Sequence, residues 1–144
     1  MAFDQSYIEQ NRASLERIRA YAKLSDKELQ HPVGEHWTVA ITLVHLAFWE
    51  RRVLLVLGKT EREGKLSSFD LDIVVNDISL PVWAAIPPRE AAQLAIETAE
   101  EVNKRLEEFS PKLLEEIYNH NKRFVFRSLH RNEHLDEVDR ALKG

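Results

Sequence analysis

The run "TVAITLVHLAFWERRVLLVL", residues 38–57, constrains this chain more than any other stretch. Its apolar residues recur at helical spacing, with Thr38 placed to cap the N-terminus and Gly58 to stop the helix. The first half is apolar nearly all round. Such a helix needs neighbours on every side and belongs at the centre of a helical core. It does not belong in a membrane, because "VAITLVHLAFW" is only 11 residues long, against about 20 needed to span a bilayer. At its middle sits His45, flanked by "ITLV" and "LAFW". An unsatisfied imidazole there is costly, so His45 must be hydrogen-bonded or metal-bound. A neighbouring carbonyl is the simpler partner and a metal the functional one.

The rest of the chain supplies helices to pack against it. Tyr7, Ile8, Leu15, Ile18, Tyr21 and Ala22 recur at helical spacing over about residues 4–23. "SDKEL" carries a capping box at Ser25 and Glu28 that starts one short turn, and "QHPVGEHW" then breaks the chain at Pro32 and Gly34. After Gly58 comes a connection of about 25 residues, long for a compact domain and therefore functional or partly helical. Its segment "DLDIVVNDISLPVW" is too apolar for a free loop and should pack over one end of the bundle. The third helix opens at "PPREAAQLAIETAEEVNKRLEEF" and ends at Ser110-Pro111; "SPKLLEEI" offers a further turn and "YNHNKR" a polar linker. The fourth helix runs from about 124 to 142. With 144 residues, four glycines and five prolines, the expectation is one all-α domain over residues 1–144, a four-helix bundle.

That last helix carries "RSLHRNEHLDEVDRAL", with His130 and His134 one turn apart on one face, about 40° apart in projection. This spacing lets two imidazole nitrogens converge on one ion. It is not the zincin motif, since Arg131 rather than Glu follows the first histidine. Glu137 and Glu133 lie close enough in angle to accept the second imidazole N–H, whereas Asp136 points away. His45 from a facing helix would complete three nitrogen ligands, and three protein ligands with open positions is the catalytic pattern rather than the structural one.

Composition removes other chemistries. There is no cysteine, hence no disulfide, no thiolate ligand and no cysteine nucleophile; any thiol must come from a cosubstrate. The net charge of −4 and the lack of a basic helix face give no reason to expect a nucleic-acid or membrane partner. No Ser-His-Asp arrangement, P-loop or dinucleotide fingerprint is present. The N-terminal stretch interleaves acids and bases without an apolar core, so the expected location is the cytoplasm.

The combination of "HWTVAITLVHLAFWE", "VVNDISLPVW" and "HRNEHLDEV" resembles the DinB/YfiT-like metalloenzyme superfamily over nearly the whole chain. The first looks like that family's Trp-Thr-led second helix, the second like its Asn-bearing segment before the third helix, and the third like its His-x-x-x-His fourth helix. By position His45, His130 and His134 match its three-histidine site. The resemblance implies up-down-down-up connectivity, a divalent metal (zinc or nickel) held by three histidines and solvent, and a homodimer. It also implies a small-molecule substrate, with a low-molecular-weight thiol such as mycothiol or bacillithiol as cosubstrate in relatives that catalyse transfer or isomerisation. Metal-assisted hydrolysis is the companion expectation, and a non-catalytic small-ligand or stress-related metal-binding protein the alternative.

Other residues near the expected site have a plain role and a functional one. Trp49 lies on the His45 face, where it fills core or meets a ligand. Arg52, on the same side, either orients a substrate carboxylate or phosphate or simply pairs with Glu137 or Asp77. Asn76 and Asp77 line the pocket mouth or cap a short helix. His31, His36 and His120 fall in polar turns and are read as solvated.

Overall fold

The computed structural model describes residues 3–144 and is almost wholly helical. The elements are α1 (Tyr7–Tyr21), α2 (Asp26–Leu29), a two-stranded ribbon of β1 (Pro32–Val33) and β2 (Trp37–Thr38), α3 (Val39–Glu63), α4 (Val75–Ala84), α5 (Pro88–Glu108), α6 (Pro111–His120), a 3₁₀ turn at Lys122–Phe124, and α7 (Arg127–Lys143). The long helices α1, α3, α5 and α7 form the body.

Named contacts fix their directions. Asn11 bonds the start of α7 through Ser128 N at 3.0 Å, and Tyr21 bonds its later part at Asp139, so α1 and α7 run in the same sense. Arg12 pairs with Glu107 and Arg19 with Glu100 at 2.7 Å, which sets α1 against α5. Arg51 to Glu101 and Arg105 to Glu61 align α3 with α5. His45 meets His134 while Glu50 meets Arg131, so α3 and α7 are opposed.

Local chemistry explains the boundaries. The Thr38 hydroxyl accepts Ile41 N at 3.1 Å and caps α3, and the Ser25–Glu28 capping box is complete. Gly58 does not stop α3. A glycine inside a helix costs only about 1 kcal/mol relative to alanine, and the apolar face continues through Thr60, so the helix runs to Glu63. It ends at Gly64, whose φ of 69° is the left-handed cap position. The "YNHNKR" linker is largely the end of α6 and the 3₁₀ turn, and α7 begins at Arg127 rather than near 124. Pro32 and Gly34 do turn the chain, but into the β1–β2 ribbon, which delivers Trp37 to the head of α3. The apolar segment before α5 is α4 and packs on α3 through Trp83.

The interior is not purely apolar. Glu50 lies wholly buried on α3, with Oε1 on Arg127 at 2.7 Å and Oε2 on Arg131 at 2.7 Å. Arg131, fully buried, also donates to Asn11 O and Ser14 Oγ of α1 and to Ala99 O of α5. One carboxylate and two guanidiniums therefore tie together all four long helices. Burial alone would raise the Glu50 pKa, but the charges of Arg127 and Arg131 outweigh it and the net shift is downward. Glu50→Gln should destabilise the fold by about 3–5 kcal/mol, because two buried guanidiniums lose their counter-charge. Urea unfolding measures this; a loss below about 1 kcal/mol would show that the network is not holding the helices.

Candidate metal centre

His45, buried on α3, faces His130 and His134 on the first half of α7, and one nitrogen from each lies within 4.8 Å of the others. The closest edge is His45 Nε2 to His134 Nε2 at 3.2 Å. Metal–nitrogen bonds of about 2.0–2.1 Å in tetrahedral array put ligand nitrogens roughly 3.4 Å apart, so this edge already has the span of a shared cation. All three imidazoles have their pKa values lowered. His45 is pushed down to about 3, by burial first and then by the charge on His134. His130 is lowered by burial and by Arg127, and His134 by burial, with Glu137 and Glu133 opposing. Three imidazoles held neutral are the donor type a divalent cation takes.

The surroundings orient the rings unequally. Glu137 Oε1 lies 3.3 Å from His134 Nδ1, close but not aligned as a hydrogen bond; this carboxylate is placed to hold the proton on Nδ1 and free Nε2. His45 Nδ1 is buried without a well-aligned hydrogen bond, and the side chain of Asn76 is the polar group beside the ring. Arg127 Nη2 donates to His130 Nδ1 at 3.3 Å, which is the reverse of the acceptor that a ligating imidazole ordinarily finds. That contact is long; burial first, and then the charge of Arg127, hold the His130 pKa down.

All three tryptophans of the chain surround His45: ring centroids lie 4.8 Å away for Trp37, 5.7 Å for Trp83 and 6.3 Å for Trp49. Trp49 does not fill core. It is half-buried, lines the cavity and donates Nε1–H to Asn76 Oδ1 at 3.0 Å. The cavity beside the histidines has a volume of about 450 Å³, with Trp37, Trp49, Ile73, Asn76 and Glu133 among its walls. Asn76 is thus at the site, while Asp77 is exposed on α4 and neither lines the cavity nor caps the helix.

Arg52 pairs with neither Glu137 nor Asp77. It donates to Phe69 O at 2.9 Å, and its guanidinium lies 5.0–5.6 Å from the ring centres of Trp49, Phe69 and Phe124. His36 and His120 are exposed, but His31 is half-buried, with Nε2 3.0 Å from Ala141 O. Asp136 turns away to Arg17 as its angle requires. Glu50, Arg127 and Arg131 escaped the sequence reading. Their one visible signal is the i,i+4 pair of arginines interleaved with the two histidines on α7.

His45→Ala should abolish stoichiometric metal uptake while His36→Ala leaves it intact, with elemental analysis as the readout. Nickel titration should quench the tryptophan fluorescence of the wild type, because every indole lies beside the site; no quenching alongside proven uptake would place the ion elsewhere. The lowered His45 pKa also sets a pH dependence for metal-stripped protein. The unfolded ring binds a proton near 6.5 and the folded ring only near 3, so its contribution is full above about pH 6.5 and is lost as pH falls. Between about pH 6.5 and 5 stability should drop by roughly 2 kcal/mol from His45 alone. A flat urea-unfolding profile over that range would contradict it.

Among known families, the DinB superfamily matches residues 7–135, a span that includes His45, His130 and His134. No curated protein and no solved structure matches the chain. With its helical body, its three-histidine cluster and this match over most of its length, the chain belongs to the DinB superfamily.

Proposed function

We propose that this protein is a divalent-metal-dependent enzyme acting on a small molecule, with His45, His130 and His134 as the metal ligands. The observation that carries the reading is the meeting of three uncharged imidazoles from α3 and α7 at the wall of a roomy cavity. Among the described residues no fourth histidine, aspartate or glutamate joins the cluster, which favours positions left for solvent or substrate over a closed structural shell. Zinc or nickel suits an all-imidazole set. Bound there, such an ion supplies Lewis acidity that makes a nucleophile of water or of a low-molecular-weight thiol at neutral pH.

The chain's own residues supply binding and order. Glu137 lies against the His134 ring at Nδ1, and Trp37 and Trp49, with the exposed Ile73 at the rim, form the apolar wall of the cavity. Asn76, its oxygen taken by Trp49, keeps its amide N–H groups for a substrate oxygen. No cysteine exists to act as a protein nucleophile, so a thiol-dependent transfer or isomerisation draws its sulfur from a cosubstrate. The apolar wall also supports a second reading, a binding protein that holds a small ligand without turnover; the same wall is needed for both, and only turnover separates them.

Protein purified without a histidine tag should contain about one metal per chain. Removing it with a chelator should lower the melting temperature by about 10 °C when the free ion had exceeded its Kd about 1,000-fold. The loaded protein should then accelerate attack of thiols on small electrophiles, or ester hydrolysis, and His45→Ala should abolish the acceleration. Metal uptake without turnover across both screens would support the binding protein instead, and no uptake at all would sink the metalloenzyme.

A further inference from the structure

A second, smaller cleft adjoins the histidine cavity and shares Trp49 and His130 with it. Three arginines border it: Arg52 from α3, Arg123 from the 3₁₀ turn and Arg127 from α7, with Asn121 beside them. We propose that this cleft is an anion subsite, which takes the carboxylate or phosphoryl end of a substrate whose reacting end lies at the three histidines. The inference rests on the metal-centre reading for the reacting end only; the anion end stands on the charges and cavities below.

The charges around the cleft do not cancel. Arg123 is matched by Glu133 at 2.8 Å. Arg127 and Arg131 share the single carboxylate of Glu50, which leaves one positive charge over. Arg52 has no carboxylate within ion-pair distance among the described residues; one carbonyl and three aromatic rings are its company. Burial lowers the Arg52 pKa and outweighs the charge of the exposed Asp70, which acts the other way. About two positive charges are therefore held beside the cleft in partly desolvated surroundings, where an oxyanion gains most from them.

The roles of the three differ. Arg127 has most of its donors committed to Glu50, the Arg123 carbonyl and His130, so it acts chiefly through its field. Of the five N–H donors a guanidinium carries, Arg52 spends one on Phe69 O and buries Nε–H without a partner, so the remaining Nη donors are its contact groups. The rings of Trp49, Phe69 and Phe124 fix that guanidinium in place. A cleft of about 120 Å³ has room for roughly four waters, enough for one carboxylate or phosphoryl group and too little for a whole metabolite. The rest of the molecule belongs in the 450 Å³ cavity across Trp49.

The test is calorimetric titration of inorganic phosphate in one arm and succinate in the other, on zinc-loaded and on metal-stripped protein. The wild type should bind at least one probe saturably, the preferred arm naming the kind of anion. Arg52→Met, which keeps the stem between the rings and removes the charge, should weaken binding about tenfold or more, with metal content unchanged. Arg52→Lys should recover part of the loss, and the exposed Arg123→Gln, which does not threaten the fold, should weaken binding by a smaller factor. Arg52-dependent binding by the metal-stripped protein upholds the subsite even if the histidines take no ion. Metal uptake with anion binding indifferent to both arginines, or no saturable binding of either probe, overturns the subsite and leaves the metal centre standing.

Discussion

The carboxylate of Glu50, buried between the guanidiniums of Arg127 and Arg131, is the constraint on which the rest of this structure turns. Taking three charges out of water is expensive, and the expense is offset only while their geometry holds. Glu50 stands five residues beyond His45 on α3, and each arginine stands three residues before one of the α7 histidines. Any slide or rotation of α7 that separates the imidazoles must therefore also break ion pairs in the core. Arg131 extends the lock to α1 and α5 through Asn11, Ser14 and Ala99. The histidines stand on rigid elements, which is what a preorganised metal site needs.

The same network shapes the electrostatics of the site. Arg127 reaches His130 Nδ1 and lowers its basicity, while Glu137 leans on His134 with the opposite sign. The three corners are thus unequal donors: one supported by a carboxylate, one opposed by a guanidinium, and His45 without a well-aligned hydrogen bond at Nδ1. Positive charge crowds the His130 side of the cavity and tryptophan the His45 side. The cavity thus has an apolar wall on one side and arginine on the other.

Much of this was legible in the sequence because its signals are local. Thr38 and the Ser25–Glu28 box mark helix starts through contacts three residues away, and the His130/His134 pair is fixed by the period of one helix. His45 stood out because an imidazole in so apolar a helix demands an explanation. The failures share a different cause. Gly58 reads as a stop only if its local preference decides, and the packing of α3 overrode it. Trp49 reads as core on a helical wheel, which does not show the cavity that it lines or its hydrogen bond to Asn76 of α4. Glu50 finds its partners 77 and 81 residues away, a distance at which no spacing rule operates. Arg52 was expected to find a carboxylate and found aromatic rings instead. Residues that interact across the fold are those the chain alone does not disclose.

The central claim is that His45, His130 and His134 close on one cation. X-ray absorption at the zinc edge of stoichiometrically loaded protein tests it most directly. Three imidazole nitrogens at about 2.0–2.1 Å are expected, completed by an oxygen ligand from solvent, with the multiple-scattering signature of the rings reduced by one in His45→Ala. A shell with fewer than three imidazoles, or one unchanged when His45 is replaced, would contradict it.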